Sequence, residues 1–159
     1  MNVDLSKYIR DETPKYTPTP PREIPLYNRW GKAIFRLRGT EIYDFKGRPR
    51  GYVVGTSVYD LRGEHRGFWK DLIISDRTRR IVGFSPGASI PGLSLPLVEF
   101  PPLVYKDFPA PKPPPGLTEV DFQGFVAAWS VMQFENMLPS FDENESDDVR
   151  TDEEDEEEF

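Results

Sequence analysis

The chain has 159 residues, 37% of them apolar, with 20 Lys or Arg against 27 Asp or Glu, one His and no Cys. That supports one modest core rather than two. It also excludes disulfides, thiolate nucleophiles and Cys-ligated zinc, and His65 alone leaves no His cluster for a transition metal or a His-based triad. The net charge of −7 is unevenly spread: residues 135–159 hold 13 acids against Arg150 alone, a net −12, while residues 22–85 hold 14 bases against 7 acids, a net +7. No apolar run approaches the roughly 18 residues of a membrane span, and the N-terminus lacks the basic-then-apolar order of a signal peptide, so a cytoplasmic protein without a membrane partner is expected.

Residues 1–25 contain Pro14, Pro18, Pro20, Pro21 and Pro25 and read as an extended lead-in. Residues 26–85 carry a sixteen-residue repeat. Tyr43-Asp44 through Gly47, Gly51 and Tyr52 realigns with Tyr59-Asp60 through Gly63, Gly67 and Phe68. It realigns again with Ser75-Asp76 through Gly83 and Phe84, and more weakly with Tyr27-Asn28 through Gly31 and Phe35. Apolar and polar residues alternate on both sides of a central break, so each copy predicts a β-hairpin. Two-residue breaks at Trp30-Gly31, Lys46-Gly47 and Arg62-Gly63 suit primed turns, whereas Thr78-Arg79 lacks the Gly.

Counting outward from such turns sets Asp44 opposite Pro49, Tyr43 opposite Arg50 and Ile42 opposite Gly51, then Asp60 opposite His65, Tyr59 opposite Arg66 and Val58 opposite Gly67. Alternation then separates two surfaces. One carries Leu26, Ile42, Val58 and Ile74, with Gly51, Gly67 and Gly83 facing the last three, and reads as a shared centre. The other carries Tyr43, Phe45, Arg48, Arg50 and Tyr52, then Tyr59, Leu61, Arg66 and Phe68, and reads as an aromatic and basic outer face.

With these features the chain resembles the four-fold β-flower proteins. The resemblance rests on Leu26-Tyr27-Asn28 with Gly31, on Ile42-Tyr43-Asp44 with Gly47, and on Val58-Tyr59 through Gly63, His65, Gly67, Phe68 and Trp69. It continues through Ile74, Asp76, Val82-Gly83-Phe84 and Gly87-Ala88. It implies a mainly β fold of four consecutive hairpins around a pseudo-four-fold axis over residues 26–85, and no particular activity.

Residues 86–116 hold 10 of the 17 prolines among Leu, Val, Ile, Phe and Tyr. So much apolar content predicts a strap that covers the aliphatic face of the hairpins or docks on a partner. Thr118-Glu119-Val120-Asp121 has capping-box spacing, and Phe122, Phe125, Trp129 and Met132 recur at helical intervals, which predicts an amphipathic helix over 117–138 that packs on the body or on another subunit. Residues 139–159 predict a disordered acidic tail ending in Phe159. Its last eight residues, Asp152, Glu153, Glu154, Asp155, Glu156, Glu157, Glu158 and Phe159, resemble the C-terminal tails of single-stranded-DNA-binding proteins. That resemblance implies a partner-docking peptide that also shields the basic body.

Three function classes follow. Tyr43, Arg48, Arg50, Tyr52, Tyr59, Arg66 and Phe68 form the composition that grips a phosphate backbone while stacking unpaired bases, so single-stranded DNA or RNA is the expected ligand. The same side chains also suit cross-strand cation–π pairs with no ligand at all. A protein-interaction or scaffold module, or a nucleic-acid mimic, would instead use the strap and the tail. Catalysis is the least supplied: Asp44, Asp60 and Asp76 recur at one phase and could face a divalent cation, but Asp beside a turn has a structural role, and Asp60 with His65 reads as an ion pair. The expectation is a binding protein, not an enzyme, with no cofactor and no metal site.

Overall fold

In each hairpin the residue before the turn brings its own acceptor, and the strands follow from it. The computed structural model describes residues 22–140. Its strands are β1 (Glu23–Tyr27), β2 (Ala33–Arg38), β3 (Glu41–Asp44), β4 (Pro49–Val54), β5 (Ser57–Asp60), β6 (His65–Lys70), β7 (Ile73–Asp76) and β8 (Arg80–Phe84), with β9 (Val126–Trp129) and a short helix α1 (Phe134–Met137) after them. β1 to β8 form an antiparallel meander that closes when Tyr27 of β1 meets Phe84 of β8. Two-residue links at Gly39-Thr40, Gly55-Thr56 and Asp71-Leu72 join one hairpin to the next.

The turns within the hairpins are one residue longer than the glycines suggest. Asp44 bonds across to Arg48, its amide reaching the Arg48 carbonyl at 2.9 Å, and Gly47 enters the left-handed region at φ 84° to donate back to the Asp44 carbonyl. Tyr43 then pairs with Pro49 rather than Arg50, Arg50 bulges out of register, and Ile42 meets Gly51 as expected. The extra turn residue and the extra bulge residue compensate each other. Tyr59 likewise pairs with His65, Arg66 bulges, and Val58 meets Gly67. Arg79 adopts the same left-handed backbone as the turn glycines, at φ 72°, and its Nη1 donates to the Gln123 and Gly124 carbonyls at 3.2 and 3.1 Å. A non-Gly residue in that region carries a cost, which these two bonds offset.

The four phased aliphatics Leu26, Ile42, Val58 and Ile74 are all buried at the centre of one core. Their cover is not the Pro-rich strap but the end of the described chain. Gly83 lies against Phe134, Gly67 against Met137 and Gly51 against Leu138, so three repeat-related glycines make room for three side chains of a single plug. In the first hairpin the corresponding residue is Phe35, which meets Phe134 edge-on with ring centroids 5.0 Å apart.

The helix expected over 117–138 is confined to α1. Gly124 takes φ 96°, and the Val126 amide is drawn to the Arg79 carbonyl at 2.9 Å. The edge of β8 beyond its single bridge to β1 offers ladder partners to β9, which pairs parallel to it. A tertiary hydrogen-bonding opportunity thus overrides an amphipathic stripe whose Gly already weakens a helix. Phe122, Phe125 and Trp129 still find apolar neighbours: Phe122 packs on Phe68 at 5.0 Å, and Phe125 and Trp129 join Ile73, Ile81 and Ile90.

A Cβ on Gly67 would collide with the Ser75 carbonyl and approach Met137 Cε at 2.7 Å. Gly67→Ala is therefore expected to lose about 3 kcal/mol of stability in urea unfolding, the upper end of overpacking effects, and a loss within about 0.5 kcal/mol would show that the plug is not seated on the glycines.

Candidate functional site

Each turn carboxylate is consumed by the fold. Asp44 Oδ1 accepts the amides of Lys46 and Arg48 at 2.8 and 2.9 Å, Asp60 Oδ1 those of Arg62 and Glu64 at 2.9 and 3.0 Å, and Asp76 Oδ1 those of Thr78 and Arg80 at 2.8 and 3.1 Å. The second oxygen faces the bulge. Arg50 Nε meets Asp44 Oδ2 at 3.0 Å, and Arg66 Nε meets Asp60 Oδ2 at 2.9 Å. The fourth hairpin has Val82 at the bulge, so Asp76 Oδ2 takes the Ser130 hydroxyl at 2.5 Å instead. Burial alone would raise the Asp76 pKa, but its donors outweigh burial and hold it below the ordinary carboxylate range. Asp60 does not pair with His65, and these carboxylates converge on backbone amides, not on a cation. No group of three or more potential ligands is assembled among the described residues.

The expected nucleic-acid face is organised differently from the sequence reading. Tyr43, Tyr52, Tyr59 and Phe68 are only 3–6% exposed. Tyr52 donates to the Pro111 carbonyl at 2.5 Å and Tyr59 to the Thr118 carbonyl, so the strap lies over the aromatic face rather than the aliphatic one. Tyr43 donates to Glu41 at 2.7 Å, and burial together with that carboxylate pushes its hydroxyl up to about 12. Arg50 also donates to the Leu138 carbonyl at 2.9 Å, and Arg66 reaches Glu64 at 3.3 Å. Arg48 is half-buried, and its amide donates to Asp44 Oδ1 in the turn. The bulges bring Arg50 and Arg66 to their own turns, and the aromatics do not form an open stacking platform. The acidic residues Asp152 to Phe159 lie outside the described residues.

The strap itself is periodic, which sequence reading missed. Glu99 donates its amide to the Gly31 carbonyl at 3.0 Å, Phe108 to the Gly47 carbonyl at 2.8 Å and Val126 to the Arg79 carbonyl, while Leu117 packs on Gly63. These contacts recur every nine residues along the strap and every sixteen along the hairpins. The strap is therefore a belt that takes one step per hairpin. Arg36, 3% exposed, pins its second step: it holds Asp107 and Glu23 while donating to the Asp44 carbonyl at 3.0 and 3.2 Å. The cost of burying the guanidinium is outweighed by these partners, which raise its pKa. An Arg spaced sixteen before Tyr52 gave no sequence signal, since its acids come from outside the repeat.

Between its first two anchors the belt lifts off. Phe100, Leu103 and Tyr105 are 82–96% exposed, as is the side chain of Leu97 just before the first anchor, where the backbone still lies against Gly31. Residues 101–107 arch over a cleft of about 610 Å³ floored by Glu23, Pro25, Arg36, Arg38 and Phe45. A second cleft of about 420 Å³ opens beside the first turn, between Arg29, Trp30, Lys32 and the β9–α1 connection.

A closed ring of four bulged hairpins, belted outside and plugged on its axis, defines a class of small, mainly β proteins. The chain belongs to the 4-fold beta flower protein family, whose model matches residues 24–138. No curated protein and no solved structure matches it.

His65 illustrates how tightly the aromatic face is closed. Its ring sits edge-on to Tyr59 and Phe68 at 5.5 and 4.9 Å, and its buried Nε2 has no partner among the described residues. Burial pulls its pKa below the ordinary value, only partly offset by a hydrogen bond with the Gly67 backbone, and Arg77 pulls the same way. The unfolded chain therefore binds the proton more readily. Stability is full above about pH 6.5 and falls as acid protonates the unfolded form. Because the chain has one His, His65→Phe should flatten urea midpoints measured just below that pH, and an unchanged acid slope in the variant would contradict this assignment.

Proposed function

We propose that this protein is a non-catalytic docking module whose partner is another protein, held on the arch of the belt. The observation that carries this reading is the ridge of Phe100, Leu103 and Tyr105, with Leu97 at its foot, which is exposed although the same belt buries Tyr52 and Tyr59 beneath it. Four large apolar side chains on one short segment exceed the scattered exposure of an ordinary surface. Aromatic residues on such a segment are the usual anchors of an interface. The segment is rich in Pro, with Pro96, Pro101 and Pro102, so little conformational entropy is left to lose on binding. The polar groups that an enzyme would spend on substrate are spent here on the protein's own turns, which supports binding over catalysis.

The nucleic-acid alternative for the aromatic face would require the belt to leave, and its Tyr52, Tyr59, Arg36 and glycine anchors oppose that. A photo-crosslinking residue at position 105 should capture a protein in the native host that one at exposed position 112 does not. With that protein purified, Phe100→Ser or Tyr105→Ser should weaken its calorimetric affinity about 30-fold, as loss of a hot-spot aromatic does. Equal capture from both positions, or affinity indifferent to both substitutions, would remove the arch as the docking surface.

A further inference from the structure

The first hairpin breaks the charge pattern of the other three. Its turn residue is Asn28, whose Oδ1 accepts the Trp30 and Lys32 amides at 2.9 and 3.0 Å as the Asp residues do elsewhere, but without a charge. Its bulge residue is Ile34, where the second and third hairpins carry Arg and the fourth Val82. Arg29 and Lys32 therefore flank a turn that has no carboxylate of its own, the acid beside it being Glu99 of the belt, whose carboxylate accepts the Ala33 amide at 2.9 Å. At the tip, where the other turns carry Lys46, Arg62 and Thr78, stands Trp30, 75% exposed.

Across the 420 Å³ cleft from this turn lies Trp129. The Arg29 guanidinium sits 4.9 Å from the Trp30 ring centre and 5.5 Å from that of Trp129, bridging the two indoles. Ile81, Val82 and Phe134 form the apolar floor, and Gln133 and Glu135 stand on the far rim. The cleft has the size of a small-ligand site and its mixture of apolar walls with a few polar groups.

We propose that this cleft binds a nucleobase together with its phosphate. A planar ring stacks on the open face of Trp30, the phosphate is met by Arg29 and Lys32, and the Gln133 amide with the Glu135 carboxylate faces the hydrogen-bonding edge of the base. An acidic peptide would satisfy the two cations but leaves the exposed indole uncovered, and a lipid headgroup brings no ring. A nucleotide supplies both. The basic and aromatic pairing expected of the hairpin faces is thus found at one turn, where the repeat omits the acid that neutralises it elsewhere. This inference is independent of the docking role of the arch.

The chemistry is shared by a free mononucleotide and a nucleotide within a single strand, and the test separates them. Full-length protein is titrated against fluorescently labelled AMP and against a labelled oligodeoxyadenylate, with anisotropy read at low and moderate salt. Saturable binding of either probe is expected, and whichever binds more tightly identifies the source. Trp30→Ala should weaken it about 5- to 150-fold, the range for loss of one base stack. Lys32→Glu should weaken it more at low salt than at moderate salt. Lys70→Glu, an equal charge reversal at the exposed end of β6, should leave it unchanged. Because Trp30 and Lys32 are exposed, unfolding is not expected, and thermal melts of the variants verify this. Failure of both probes to saturate overturns the proposal. So does binding that Trp30→Ala and Lys32→Glu leave intact, or that Lys70→Glu reduces as much as Lys32→Glu.

Discussion

The structure depends on one recurring interaction, the side-chain oxygen of Asn28, Asp44, Asp60 or Asp76 that accepts two amides of its own turn. Such a bond fixes a three-residue loop, and the longer loop would by itself move every later residue to the wrong face. The bulge two residues further on restores the phase. Only then do Ile42, Val58 and Ile74 meet Gly51, Gly67 and Gly83, and only then is there space on the axis for Phe134, Met137 and Leu138. In two hairpins the bulge also supplies the counter-ion, since the residue pushed out of the ladder is Arg50 or Arg66. Bonds of this charge-assisted kind contribute about 1.5 to 3 kcal/mol each.

Much of this was legible in the residues. The sixteen-residue period, the aliphatic phase and the facing glycines place the axis and its core correctly, because one inserted residue in the turn and one in the bulge cancel before Ile42 and Val58 are reached. They do not cancel for Tyr43, whose partner Pro49 lies between the two insertions, or for Arg50, which is itself the bulge, and by the same shift Asp60 is expected opposite His65 when its partner is Arg66. Phe122, Phe125, Trp129 and Met132 mark an apolar stripe without saying which partner it faces. The open edge of β8 that captures β9 exists only after the ring has formed. The nine-residue step of the belt is hidden because its anchors are backbone amides, carried by Glu99, Phe108 and Val126 alike.

The two surfaces proposed for binding share an origin. Both lie where the repeat departs from its own rule. The arch is the stretch of belt between the Gly31 and Gly47 anchors, where the chain leaves the body. The cleft adjoins the hairpin that replaces Asp by Asn, Arg by Ile and the axial Gly by Phe35. A symmetric scaffold neutralises and buries its own repeated groups. Unspent apolar and charged groups are left at the positions at which symmetry fails, one apolar and one basic with exposed indole.

The central claim, that the turn oxygen sets the register and the bulge residue answers its charge, is tested by transplanting the first hairpin's combination into the third and measuring urea unfolding. Asp60 is fully buried, so Asp60→Ala, which removes both functions, is expected to cost about 3 to 5 kcal/mol. Asp60→Asn, which keeps the acceptor and strands Arg66, should cost roughly half of that, and Asp60→Asn with Arg66→Ile should recover most of the remainder. If Asp60→Asn is as damaging as Asp60→Ala, or the double variant is no more stable than Asp60→Asn alone, the account is contradicted.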